Sequence, residues 1–178
     1  FDKVMATFVN MDEDGLVVYP THRLLFDIHP DAMEEMLRRL PETFEVREYP
    51  FSGVGEDASA RQEMLEDLSI EGTQRIVFGL VVKGQPLYRL LLLRREADRR
   101  ETLDVSVLHG EILEKLLGIT MGMIAEERYV RFVRHAEEAL AAVNDPGDIQ
   151  AAFLLKPVRV DQLKTVVRKG RRLPQKTT

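Results

Sequence analysis

A β-hairpin pattern in the middle of the chain constrains the fold most strongly. Two apolar runs, Arg75–Val82 and Leu87–Leu93, flank Lys83-Gly84-Gln85-Pro86, and a short segment that contains glycine between two such runs is typical of a hairpin turn. The first run is almost wholly apolar apart from Gly79. Strands that are covered on only one side alternate apolar with polar residues, whereas continuous apolar runs are buried on both faces. We therefore predict a hairpin whose first strand is buried on both faces.

The rest of the sequence mixes strand and helix patterns without strict βαβ repetition. Apolar residues at spacings of three and four, such as Met33, Met36 and Leu40, predict helices, and Pro41 is expected to end the first helix. We predict an α+β fold, with a mixed, largely antiparallel sheet and helices packed against it. The predicted strands are 1–9, 16–19, 44–48, 75–82, 87–93, 129–133 and 151–155; the predicted helices are 30–40, 58–68, 103–117, 135–143 and one around 163–167, with a flexible segment at 118–125.

Length and composition indicate one globular domain over residues 1–178, with a polar basic tail at 171–178. The chain has 178 residues, of which 44% are hydrophobic and 31% charged. A globular chain of this length buries enough surface to fold without metals or disulfides. The sequence begins at Phe1, inside a predicted strand, so we expect the domain to be the carboxy-terminal part of a longer protein.

Composition also narrows the class of protein. There is no cysteine, which excludes disulfides, thiolate metal sites and cysteine nucleophiles. The net charge is −5, whereas a general nucleic-acid binder presents a basic face. No apolar stretch approaches the ~18 residues of a membrane span, and no signal-peptide pattern opens the chain. We therefore expect a cytoplasmic protein without membrane segments and without a nucleic-acid partner.

The first polar motif is Pro20-Thr21-His22-Arg23, directly after a predicted strand. Thr21 can donate or accept hydrogen bonds, His22 can act as an acid, a base or a donor, and the guanidinium of Arg23 can bind a carboxylate or phosphate. The spacing agrees equally with a strand-to-loop corner whose histidine and arginine bond nearby carbonyl and carboxylate groups.

The second candidate is His109, about one turn inside the predicted helix 103–117. Asp104 could cap this helix, because an aspartate at the N-cap accepts hydrogen bonds from unpaired backbone donors. The position of His109 near the inward-facing stripe is also that of an ordinary core histidine. A role in binding requires a partner from elsewhere, and His22 or Arg23 is the natural one.

The third candidate is the basic tail. Its segment Pro174-Gln175-Lys176-Thr177-Thr178 combines a fixed turn, an amide, an ammonium group and two hydroxyls. Gln175 and Lys176 could therefore bind an anion such as phosphate. The alternative is a solvated basic terminus that is frayed like most chain ends.

Several common catalytic and cofactor motifs are absent from the sequence. There is no Walker phosphate loop and no Gly-x-Ser-x-Gly elbow, and Ser52-Gly53-Val54-Gly55 lacks the third glycine of a dinucleotide fingerprint. The four histidines, at positions 22, 29, 109 and 135, are scattered. We therefore predict no metal site, and we assign neither a cofactor nor a catalytic residue from the sequence.

The three motifs together resemble those of a known family. In order and spacing, 15–23, 103–109 and 173–178 are similar to the carboxy-terminal part of the prokaryotic domain-of-unknown-function family 1015. The resemblance implies an amino-terminal portion with a Gly-His-His-Arg segment, similar to the ParB and free-serine-kinase class of nucleotide-handling proteins. It also implies that the main catalytic or nucleotide-contacting element lies in that portion.

Three functions agree with these features. In the first, the chain is a ligand-binding or scaffold half that binds a small anionic or nucleotide ligand with one shared set of side chains. That set is Thr21, His22, Arg23, His109, Gln175 and Lys176. In the second, the protein is a phosphotransferase or nucleotide hydrolase whose chemistry centres on the other portion. In the third, the chain is an interaction module, and the hairpin 75–93 pairs edge to edge into a homodimer.

Overall fold

The computed structural model describes residues 5, 10, 18–53, 55–94 and 102–170. Six strands are found in this part of the chain: β1 (His22–Phe26), β2 (Phe44–Pro50), β3 (Val77–Val82), β4 (Leu87–Leu93), β5 (Val130–Val133) and β6 (Ile149–Leu154). They form one sheet in the order β2-β4-β3-β6-β1-β5. Each pairing between these strands is antiparallel.

Helices cover both faces of the sheet. They are α1 (Pro30–Thr43), α2 (Glu56–Glu71), α3 (Asp104–Val107), which continues into a π-helix (Leu108–Glu114), α4 (Met121–Ala125), α5 (Ala136–Asn144) and α6 (Val160–Arg168). The predicted α+β fold, with a largely antiparallel sheet and helices packed against it, is confirmed. None of the helices in the described ranges has the length and apolar character that a membrane crossing requires.

Side chains along each strand alternate between the two faces of the sheet, so each face has its own hydrophobic core. In β1, Leu24 packs with Met64 of α2 and Leu140 of α5, and we call this side the α2–α5 face. The next residue, Leu25, packs with Met36 of α1 and with apolar residues of the π-helix, and we call this side the α1–π face. Because successive side chains of a strand point to opposite faces, neighbouring residues of β1 contribute to different cores.

The predicted central hairpin is confirmed as β3 and β4. All six residues of β3 are buried, and Gly79 allows α2 to approach, since a Cβ at this position would lie 2.9 Å from Met64 Sδ and 3.1 Å from Leu154 Cβ. Both outer edges of the hairpin are paired within the chain, β4 with β2 and β3 with β6. The edge-to-edge pairing suggested for this hairpin is therefore wrong, and dimerisation itself stays a prediction.

Two helix predictions are corrected by the structure. Helix α1 continues past Pro41 to Thr43; the proline removes one hydrogen bond in the last turn, and the helix still closes through Phe44 N–H, which donates to Leu40 O. The segment predicted to be flexible contains α4. Thr120 begins α4 by accepting a hydrogen bond from Met123 N–H at 3.4 Å, as an N-cap threonine does.

Candidate functional site

The motif Pro20-Thr21-His22-Arg23 does not form a corner after a strand. His22 and Arg23 are the first residues of β1, where His22 lies opposite Val133 and Arg23 lies opposite Phe132 and Phe153. Residues 18–20 adopt no regular structure, so the predicted strand 16–19 does not include Val18 and Tyr19; the rest of the predicted hairpin lies outside the described residues except for positions 5 and 10. The prediction of a corner is wrong because the apolar residues that follow Arg23 continue the strand into the sheet.

This position separates the residues that were predicted to line one face. His22 shares the α2–α5 face with Leu24, whereas Arg23 shares the α1–π face with Leu25. His109 lies in the π-helix on the side of Arg23. The prediction of a single shared face is therefore wrong for His22. Gln175 and Lys176 lie outside the described residues.

Arg23 and His109 are brought together on the α1–π face. Arg23 is only 1% exposed; its guanidinium lies 5.5 Å from the centre of the Phe132 ring, and its Nη1 donates to the carbonyl oxygen of Thr21. Burial lowers the pKa of Arg23 to about 10, so the side chain is still charged at neutral pH. This charge acts on His109.

His109 is buried, as its place near the inward-facing stripe predicted, but the helix that carries it is a π-helix. Its Nδ1 lies 3.1 Å from Met121 Sδ, and its Nε2 has no hydrogen-bond partner in the part of the chain that the structure describes. Burial, and then the charge of Arg23, lowers the pKa of His109 to about 4. Asp104 does not cap the helix: the N-cap is Leu103, and Asp104 is the first helical residue.

His22 is held in a defined tautomer on the opposite face. The residue is 3% exposed, and its Nδ1 accepts a hydrogen bond from Leu155 N–H at 3.1 Å. In a neutral imidazole one nitrogen accepts and the other carries the proton, so Nε2 is the donor. Nε2 has no hydrogen-bond partner among the described residues. Burial first, and then the nearby Arg23 and His135, lower the pKa of His22 to about 4.

The His22 ring forms part of the wall of a cavity on the α2–α5 face. The cavity has a volume of about 340 Å³, at the lower end of the range found for small-molecule sites. No aspartate or glutamate occurs among the described residues that line it. They are Tyr19, Pro20, His22, Leu65, Leu68, Ser69, Arg134, His135, Ala136, Leu154, Leu155, Lys156 and Pro157.

One end of the cavity is the amino terminus of α5. The N-cap residue is His135, whose side chain makes no capping hydrogen bond, and Ala136 lines the cavity. The first N–H groups of a helix have no intrahelical acceptors, and they give this end a partial positive charge. The backbone of α5 thus presents its first N–H groups on the same side as the exposed Arg134 and His135.

Lys156 adds a further positive charge to the cavity wall. Its Nζ donates to the carbonyl oxygen of Ser69 at 2.9 Å. Its stem packs closely on Gly72, where a Cβ would lie 2.1 Å from Lys156 Cδ. This packing keeps the ammonium group beside the end of α2.

The sequence predictions missed the residues of the cavity other than Tyr19, Pro20 and His22. Arg134 and His135 precede α5, and Lys156 follows β6, so no local motif links them to His22. A signal that could have drawn attention to them is the pair of basic residues directly before a helix that lacks a Ser, Thr, Asp or Asn cap.

The described residues contain no group of three or more His, Asp or Glu side chains placed to hold a metal ion. The chain matches no curated protein and no solved structure. A family model does match: the one described as "Protein of unknown function (DUF1015)" covers residues 1–108 of the 178. The relation to the ParB and serine-kinase class stays a prediction. Because the match covers more than half of the sequence, the chain belongs to the DUF1015 family of proteins of unknown function.

Proposed function

We propose that this chain binds a small organic anion in the cavity beside His22. One observation carries the proposal: the buried Nε2–H of His22 has no acceptor among the described residues, and the same cavity has three basic side chains and no acid in its described lining. A buried donor that loses its partner costs about 1–3 kcal/mol. An anion that reaches Nε2 supplies the missing acceptor.

The neutral state of His22 suits this role. Its Nδ1 accepts from Leu155 N–H, so protonation of the ring would place two N–H groups against each other. His22 therefore contributes a directed donor without charge, while Arg134 and Lys156 contribute the charge. Because the hydrogen bond from Leu155 fixes the tautomer before binding, the proton on Nε2 does not have to move when a ligand enters.

The walls of the cavity favour an organic anion over an inorganic one. Leu65 and Leu68 come from α2, Leu154 from β6, and Pro157 lies beyond that strand. Small-molecule sites combine apolar walls with a few convergent polar groups. An organic body would cover these apolar side chains, and its charged group would interact with the basic ones.

The predicted set around Arg23 is a second candidate for the same class of ligand. Its support is the buried His109, whose Nε2 has no partner among the described residues and which lies beside a buried guanidinium. In this alternative the anion lies on the α1–π face, and Gln175 and Lys176 would have to reach that face.

Isothermal titration calorimetry with phenyl phosphate and benzoate tests the proposal. We expect at least one of them to bind, and we expect the double variant Arg134→Gln/Lys156→Gln to bind it about tenfold more weakly or worse, because hydrogen bonds to charged groups contribute about 1.5–3 kcal/mol. The control is Lys115→Gln, an exposed lysine paired with Glu111 on the π-helix, which should bind like the wild type.

Two results would contradict the proposal. One is the absence of binding by both anions to the wild-type protein. The other is equal affinity in the double variant and in Lys115→Gln. Equal affinity in these two, together with loss of binding in His109→Gln, would instead place the anion on the α1–π face.

A further inference from the structure

We infer that the charged group of the ligand is a phosphate monoester, bound as a dianion at the amino terminus of α5. The inference rests on the proposed function and names its ligand class. It combines two features from different elements that face the same cavity, the uncapped helix terminus of α5 and the buried His22 of β1.

The charge of the cavity favours a dianion over a monoanion. Arg134 and Lys156 are cationic, and both line the cavity. The nearest acids on α5 are Glu137 and Glu138, which are exposed and do not line the cavity. Glu137 is instead engaged by Arg61 at 3.4 Å. One carboxylate or sulfate would balance only part of this positive charge, whereas a phosphate monoester carries close to two negative charges at neutral pH.

The number of donors favours a group with three terminal oxygens over a carboxylate. The first-turn N–H groups of α5, the Nε2–H of His22, the ammonium of Lys156 and the guanidinium of Arg134 exceed what two carboxylate oxygens accept in one geometry. A phosphate monoester offers three terminal oxygens. Phosphate groups are well suited to helix amino termini, where backbone N–H groups and the helix dipole act together.

His22 provides evidence for a bound ligand that is independent of the helix terminus. It is 3% exposed, it reaches the cavity from the sheet, and its Nε2 is a buried donor without a partner among the described residues. If His22 served only to accept the hydrogen bond from Leu155 N–H through Nδ1, a second buried nitrogen, Nε2, would not be needed. In the proposed complex one phosphate oxygen accepts from this donor, and the other oxygens accept from the end of α5 and the basic side chains.

The remaining walls indicate an ester and not free phosphate. Leucines from α2 and β6 also line the cavity, and so does Tyr19, which is 53% exposed. Tyrosine presents an apolar ring with a polar tip, a surface on which the body of an aromatic or small apolar ester can lie. Inorganic phosphate would leave these walls uncovered.

The test compares phenyl phosphate with phenyl sulfate, which has the same shape and one negative charge fewer. At pH 7.5 we expect calorimetry to show phenyl phosphate binding at least about tenfold more tightly, which corresponds to about 1.4 kcal/mol. This preference should disappear in Arg134→Gln/Lys156→Gln and persist in Lys115→Gln. Inorganic phosphate should bind more weakly than phenyl phosphate.

A second comparison, at pH 5.5, changes the charge of the ligand and uses no protein variant. The second pKa of a phosphate monoester is about 6, so most phenyl phosphate is then a monoanion. Phenyl sulfate is a monoanion at both pH values, so we expect the affinity ratio to fall towards one once most of the phenyl phosphate is a monoanion as well. Equal affinity of the two probes at pH 7.5, or an unchanged ratio at pH 5.5, would overturn the phosphate inference and leave anion binding standing. Absence of binding by phenyl phosphate, phenyl sulfate and benzoate would overturn both.

Discussion

His22 and His109 are both buried and neutral, but different contacts fix their protons. Nδ1 of His22 accepts a backbone N–H, which determines its tautomer. Nδ1 of His109 lies against a methionine sulfur, a weak acceptor. His22 is therefore the better-defined donor, and it is the one that lines a cavity with other basic groups.

The two histidines make the stability of the protein depend on pH. Each has its pKa lowered from 6.5 to about 4 in the folded protein, so the unfolded chain binds more protons between these values. Stability is then complete above pH 6.5 and falls as the pH drops towards 4, by on the order of 3 kcal/mol for each histidine. Urea unfolding at a series of pH values between 4.5 and 7.5 measures this loss.

Variants assign the pH dependence to these residues. His109→Asn should reduce the slope of unfolding free energy against pH below 6.5, whatever its effect on absolute stability. The control is His29→Asn, which removes an exposed histidine and keeps a capping side chain at the start of α1; the slope should fall more in His109→Asn than in this control. A slope that is equal in wild type and His109→Asn would show that His109 is not buried in its neutral form.

At the residue scale, the sequence identified residues that belong to the interior, but their predicted arrangement on one face is wrong. Four of the predicted residues are buried in the protein interior: Thr21, His22, Arg23 and His109. Their division between two faces follows from the period of two along β1. It could have been predicted only if 22–26 had been recognised as a strand, and the proline at position 20 led to the opposite interpretation.

The π-helix is an element that the apolar pattern did not distinguish from an α-helix. Its buried residues are Leu108, His109, Ile112 and Leu113, a set that agrees with the inward stripe predicted for 103–117. Hydrogen bonds to the fifth residue replace those to the fourth in a π-helix, and such segments are frequent at functional sites. Here the segment holds His109 against the sheet beside Arg23.

Two glycines provide an element-scale test of the packing. Gly79→Ala places a Cβ 2.9 Å from Met64 Sδ and 3.1 Å from Leu154 Cβ, and we expect it to destabilise the protein by about 1–3 kcal/mol, as overpacking does. At Gly110 a Cβ would meet nothing within 4 Å, so Gly110→Ala should be neutral or stabilise by up to about 1 kcal/mol. Urea unfolding compares the two variants.

Comparing the two variants separates the effect of close packing on stability from the general effect of adding a methyl group. Equal stability of Gly79→Ala and Gly110→Ala would mean that α2 does not lie against β3 and β6 as described. The sequence had identified Gly79 as the exception in an apolar strand, but it could not show why. The reason is a helix from another part of the chain.

At the scale of the whole molecule, the order of the strands creates the candidate site. The last strand, β6, lies between β3 and β1, and it carries Leu155 and Lys156 to the start of β1. The cavity therefore combines four segments that are distant in sequence, around positions 20, 68, 135 and 156. Local periodicity predicts strands and helices, but non-local strand pairing decides which of their ends meet.

The family match divides the cavity between two regions of the chain. Residues 1–108 match the family model, and they include His22, Leu65 and Leu68. Arg134, His135 and Lys156 lie beyond the matched range. The proposed anion site thus takes its buried donor from the matched region and its charged groups from the rest of the chain.

The central claim is that an anion accepts a hydrogen bond from Nε2–H of His22, and imidazole NMR measures this directly. Long-range proton–nitrogen spectra at pH 7 should show the Nε2–H tautomer of His22 before ligand is added. Titration with phenyl phosphate should shift the His22 nitrogen signals until they saturate, while those of His109 stay in place. A His22 signal that does not move, although phenyl phosphate binds, would contradict the account, as would a shift confined to His109.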